Sequence, residues 1–206
     1  VMTDYLYLIP AIILSLSFHE MAHALVSYWF GDPTPKLEGR LTLNPMKHID
    51  WMGVACLLIF RFGWAKPVPV STRYYKEPKT GMVWTAFAGP MANFILAFLA
   101  IGVGTILMHI HFNNITYIIW QLCITTASIS TGLGVFNLIP IPPLDGSKVF
   151  FSFLPDEQYF HIISYNSPAM MAILIALLYT GIVTGPLHFA QTQILNIFFG
   201  FWQLFF

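Results

Sequence analysis

The chain has 206 residues, of which 57% are hydrophobic and only 9% charged, with nine Lys plus Arg balanced by nine Asp plus Glu. A mean hydropathy of +0.70 excludes an ordinary water-soluble globule, and the absence of net charge removes any electrostatic case for binding nucleic acid. What remains is a membrane-embedded domain built from helices of about 20 apolar residues each.

From the N-terminus, an apolar run over 5–30 predicts a first span. It has no basic n-region and no A-x-A-like site, so it is expected to stay attached as a helix. Gly31, Asp32, Pro33 and Pro35 end it. Within 36–50, the alternation in "KLEGRLTLNP" predicts a short strand pair. The apolar block 51–62 is too short to cross a bilayer and reads as re-entrant or as a short buried helix. In "GWAKPVPVS", Pro67 and Pro69 permit an edge strand only.

Two long spans follow, 83–110 and 115–139, and the short link 111–114 makes them antiparallel neighbours. Three prolines in "NLIPIPPLDGSKVF" break the second. Two more apolar stretches, 168–184 and 187–206, complete five or six membrane segments, the last being a span or an interfacial anchor. The expected fold is an all-α polytopic membrane protein with a small membrane-associated β-strand element between the first two long spans. "GIVTG" at 181–185 has the G-x-x-x-G pattern of a helix-packing face. Cys56 and Cys123 lie in apolar runs and read as small buried hydrophobes rather than a disulfide framework. All nine Lys and Arg fall on one side of this topology. By the positive-inside rule that side is cytoplasmic and the N-terminus is outside.

Inside the first span stands "HEMAH", His19 to His23. Four residues on a helix turn through about 40° beyond one circle, so both imidazoles share a face, and Glu20 leans over the same site. Two neutral imidazoles with an adjacent carboxylate suit a zinc ion and a proton acceptor for the water it activates. With seven His and four Glu, the pattern arises by chance roughly 0.005 times in such a chain. Three ionisable groups within five positions of a span are costly without a metal or a wet cavity. A satisfied polar patch at a helix end is the plainer alternative.

Catalytic zinc takes three protein ligands and leaves one position open. His48 and His161 lie in polar loops, and His109, His111 and His188 near the opposite face, so each reads better as solvated or interfacial. Asp145 follows "IPIPP", where broken backbone can line a protein-enclosed cavity at membrane depth; its other reading is a turn aspartate in "LDG".

"HEMAH" at 19–23, "GPMAN" at 89–93 and "NLIPIPPLDG" at 137–146 together resemble the site-2 proteases, intramembrane zinc metalloproteases, and especially the small bacterial members that carry only the core. The resemblance implies that His19, His23 and Asp145 hold one Zn²⁺, that Glu20 is the general base and later proton donor, and that Asn137 and Asn93 bind substrate backbone or the developing oxyanion. For Asn93, tying two helices together is the alternative. It also implies one domain over 1–206, with a catalytic core of about 5–146 and C-terminal membrane segments of about 167–206.

The partners expected are transmembrane protein or peptide substrates and the lipid bilayer, with a membrane regulator or homo-oligomer as further options and no nucleic acid. Edge strands around 36–44 and 63–70 are expected to present an extended substrate by strand addition. An inactive zinc-binding scaffold of the same fold is the alternative function. A metal transporter fits less well, because ionisable residues do not trace a path across several spans.

Overall fold

The computed structural model describes residues 2–53, 56, 65–110, 112–164 and 168–206. In chain order its helices are α1 (Met2–Trp29), α2 (Thr34–Leu37), α3 (Pro78–Ile110), α4 (Asn114–Asn137), α5 (Asp145–Phe150), α6 (Asp156–Ser164), α7 (Pro168–Tyr179) and α8 (Thr184–Gln203). Short 3-10 turns lie at Pro45–Lys47, Thr72–Tyr74 and Phe151–Phe153.

Leu6–Trp29, Pro78–Ile110 and Asn114–Asn137 are each long and apolar enough to cross a bilayer. α3 packs on both α1 and α4, which also touch each other. Ala97, Ile101 and Ala127 are buried between α3 and α4, where small side chains let the helices approach. The tight link between these two helices is set by Asn113, whose side chain accepts from the Ile115 and Thr116 N–H groups while the Thr116 hydroxyl accepts from Asn113 N. α8 packs on both helices of this pair. Trp202 lies on Gly102, where a Cβ would meet the indole within 2.9 Å, and its Nε1 donates to Phe98 O at 3.0 Å. The opposite faces, with Ile95, Leu99 and Val103 on α3 and Ile115 and Ile118 on α4, are exposed. A continuous apolar exterior of this kind belongs against lipid.

Two expectations are not confirmed. Of the five or six membrane segments expected, three helices among the described residues are long and apolar enough to cross a bilayer, and a fourth only if Met170–Tyr179 and Thr184–Gln203, bent by 78°, count as one broken segment. The bend explains the fate of "GIVTG" as well: Gly181 sits in the turn with φ +75°, a left-handed conformation that stops α7, so the motif is no continuous helix face.

The second is the β-strand element: no strand is present among the described residues. In 36–50, Pro35 opens the one-turn helix α2, Gly39 ends it at φ +63°, and Asn44 caps the turn at Pro45. Prolines at helix starts and a positive-φ glycine outweigh the polar–apolar alternation. Residues 65–70 form neither helix nor strand. Lys66 N–H donates to His48 O at 2.8 Å, but Pro67 and Pro69 have no N–H with which to continue a ladder. The block 51–62 falls largely outside the described residues, as do 63 and 64.

Polar anchors hold this non-helical segment instead. Arg40, only 3% exposed, donates to the carbonyls of Lys47, Lys66 (3.1 Å) and Pro67 (2.6 Å). At the other end, buried Asp32 accepts from Ser71 N (2.7 Å), Thr34 N (2.9 Å) and Ser27 Oγ (3.0 Å). The segment is thereby pinned where it passes the end of α1.

Candidate metal centre

By helical rise, His19 and His23 lie about 15 and 9 Å before the end of α1, below the surface of the three-helix frame. Both are buried, at 4% and 9% exposure. Asp145 reaches the same level because the chain folds back after α4. Gly146 lies so close to this turn that a Cβ would stand 2.6 Å from Ile139 O and nearer still to Leu138 O. The three side chains converge: His19 Nε2 is 3.0 Å from His23 Nε2, and Asp145 Oδ2 is 3.3 Å from the first and 3.1 Å from the second.

The partners behind this triangle fix what its atoms can be. His23 Nδ1 is 2.6 Å from Thr85 O. A carbonyl only accepts, so Nδ1 carries the proton and, in neutral His23, Nε2 presents a lone pair. The side-chain amide of Asn93 lies 3.1 Å from His19 Nδ1 and 3.3 Å from Ser130 Oγ. Lone pairs of His23 and Asp145 thus face one another at 3.1 Å, an arrangement that a cation relieves. Tetrahedral zinc with bonds of about 2.0–2.1 Å requires ligand atoms about 3.3 Å apart, so the edges of the triangle fit it. The second shell is of the usual kind for metal-binding histidines, with a carbonyl behind one and an amide behind the other.

The centre opens into a cavity of about 460 Å³, lined among others by Glu20, Asn137, Lys148, Pro67, Val68 and Val70. Glu20 therefore shares the space with the three donors. Asn137 is half-buried at the end of α4 and donates from Nδ2 to Leu133 O at 3.0 Å. Asn93 is placed differently: it is fully buried, outside the lining of the cavity, and its contacts are to His19 and Ser130.

Among the other histidines, His109, His161 and His188 are exposed as expected, and His111 lies outside the described residues. His48 is a correction, being only 2% exposed, with Nε2 donating to Thr42 O at 2.7 Å. The loop from Arg40 folds back and uses the imidazole as its own core. It stands apart from the His19, His23 and Asp145 cluster. Cys56 and Cys123 are free and half-buried.

Several supporting residues are not evident from motif spacing. Gly89 packs on both His19 and His23, Thr85 receives His23, and Lys148 donates to Asp145 Oδ1 at 2.9 Å. A glycine followed by proline inside a 33-residue helix is the one local signal, because both residues contradict helix propensity.

The fold and this donor cluster define a helical membrane protein with three side chains placed so that they could hold a metal ion. Comparison with known proteins narrows the class. Residues 102–178 match peptidase family M50. The chain is 34% identical to the Bacillus subtilis (strain 168) protein described as "Putative zinc metalloprotease YwhC", with 96% of this chain and 93% of that protein covered. It is 31% identical to proteins described as "Putative zinc metalloprotease Rip2" from Mycolicibacterium smegmatis and Mycobacterium tuberculosis H37Rv, over 69% of this chain and 55% of theirs. No solved structure gives a significant match. The chain belongs to peptidase family M50, the site-2 protease family.

Proposed function

We propose that this protein is an intramembrane zinc metalloprotease that hydrolyses peptide bonds within or near transmembrane segments of membrane-protein substrates. The observation that carries the reading is the donor triangle of His19, His23 and Asp145 opening into a cavity shared with Glu20. Zinc, when bound there, polarises the scissile carbonyl and makes water nucleophilic near neutral pH. Glu20 takes the proton of the attacking water and delivers it to the leaving amine. Asn137 binds substrate backbone or the developing oxyanion, which requires its amide to release Leu133 O.

A peptide bond in an intact helix is shielded, because its carbonyl is already hydrogen-bonded. Pro67, Val68 and Val70 line the cavity, and this non-helical segment supplies backbone groups with which an unwound stretch of substrate pairs. The alternative is an inactive scaffold that uses zinc for structure. Structural zinc sites are closed by four protein ligands, whereas three converge here beside open space, which favours catalysis.

The positive charges support an orientation. Lys36, Arg40, Lys47, Lys66, Arg73, Lys76, Lys79 and Lys148 all lie in segments at the end of the bundle where α1 finishes and α3 begins. By the positive-inside rule this end is cytoplasmic, the N-terminus is outside, and the centre lies near the cytoplasmic face.

The test is zinc content by mass spectrometry beside cleavage of single-span membrane peptides, on wild type and Glu20→Gln. One zinc per chain in both, with cleavage by the wild type alone, is expected. Zinc in both with cleavage by neither favours the scaffold, and no zinc in freshly prepared wild type removes the basis of the mechanism.

A further inference from the structure

Asp145 offers two oxygens, and they face different partners. Oδ2 stands against both histidine Nε2 atoms, while Oδ1 accepts from Lys148 Nζ at 2.9 Å. The lysine is one turn on in α5, at i+3, and both side chains line the cavity. This is no ordinary surface pair, because the Asp145 side chain is 10% exposed and that of Lys148 31%.

We propose that Lys148 is a positioning residue that reserves Oδ1, so that Asp145 turns a single oxygen to the metal and one coordination position stays open for water. The inference rests on the zinc reading of the site. A carboxylate released from such a partner has both oxygens free, and zinc accepts a fifth ligand readily. A second oxygen on the ion would occupy space that the reaction needs. The lysine also places a positive charge beside a dication, which opposes metal binding through simple repulsion. Removing it therefore has an unusual sign: metal is held as tightly as before or more tightly, while turnover falls. Loss of a merely structural residue near a ligand weakens metal binding instead.

Cobalt(II) substituted for zinc reads the coordination directly, since its visible bands weaken on going from four to five ligands. The experiment compares wild type, Lys148→Met and Lys148→Arg in detergent, by cobalt spectrum, by competition for the metal with a chelator, and by peptide cleavage of the zinc forms. Expected are a four-coordinate spectrum in wild type and Lys148→Arg, a five-coordinate spectrum in Lys148→Met with metal retention equal or greater, and cleavage lowered about tenfold or more in Lys148→Met alone. A four-coordinate spectrum in Lys148→Met, or loss of its metal, overturns the role of the lysine and leaves the zinc reading standing. A wild type that binds no metal overturns both.

Discussion

Gly89 of α3 and His23 of α1 are in contact with no room for another atom between them. A Cβ on residue 89 would lie 2.6 Å from the Cε1 atoms of His19 and His23 and closer still to His23 Nε2. The neighbours it would displace are ligating rings rather than flexible chain ends. Gly89→Ala is expected to reduce zinc retention by at least the 10–100-fold that lost second-shell partners cost, about the range for such sites, while helical content by circular dichroism stays that of the wild type. Full zinc content in Gly89→Ala would mean that the rings can move aside, and the close fit of α3 would then have no part in building the site.

His19 depends on a different neighbour. In the structure Asn93 Nδ2 faces His19 Nδ1 and Oδ1 accepts from Ser130 Oγ; with Nε2 turned to a metal, His19 Nδ1 keeps its proton and needs an acceptor, so metal binding requires the Asn93 amide to turn its oxygen to His19. Asn93→Leu removes that acceptor while keeping the volume close. Zinc affinity is expected to fall about 10–100-fold, read by chelator competition. Asn93→Asp, which accepts as well, should retain more metal than Asn93→Leu. The reverse order would argue that Asn93 serves the substrate.

The long spans and the residues that converge at the candidate metal centre were legible in the sequence for physical reasons. Apolar runs of bilayer length have few alternatives, and His19 with His23 is tied to one helix face by local geometry alone. Asp145 could be singled out because broken backbone at membrane depth needs a purpose. What was not legible depends on contacts far apart in the chain. The strand pair expected in 36–50 gives way to Pro35, Gly39 and Asn44, which act locally, and to Arg40, whose partners are 26 and 27 residues away at Lys66 and Pro67. His48 looked solvated because its loop is polar; only the fold shows the loop closing over it. The roles of Gly89 and Thr85 require knowing which face of α3 meets α1.

The segment from Pro67 to Ser71 allows a directional test. Between Pro67 and Ser71 only Val68 and Val70 carry backbone N–H groups, and both residues line the cavity. Val68→Pro removes one of these donors with little change in side-chain bulk. Cleavage of membrane peptides is expected to fall about two- to tenfold, the worth of one backbone hydrogen bond of about 0.5–1.5 kcal/mol, with zinc content unchanged. Pro69→Ala, which adds a donor, should not slow cleavage. Unaltered turnover in Val68→Pro would sink substrate pairing along this segment.

Asp32 links the segment to pH. Burial acts to raise its carboxyl pKa, but the hydrogen bonds from Ser71, Thr34 and Ser27 outweigh it and hold the value below the ordinary carboxylate range. A folded-state pKa below the unfolded one means that the ionised form stabilises the fold. That contribution is complete above about pH 4, the ordinary aspartate value, and is lost as the pH falls through the lowered folded value. Oδ2 takes two of the donors, Ser27 Oγ and Ser71 N, and Oδ1 takes Thr34 N, so an amide must turn its NH₂ against at least one donor. Asp32→Asn is therefore expected to lower stability by about 1–3 kcal/mol at pH 7, read as a reduced unfolding midpoint in detergent. The deficit should shrink as the pH drops below 4, because protonated Asp32 loses the same advantage. Other carboxylates titrate in that window too, so the informative quantity is the difference between variant and wild type at each pH. A difference that stays constant from pH 7 to pH 3 would show that the charge of Asp32 contributes nothing and that only the shape of its hydrogen bonds matters.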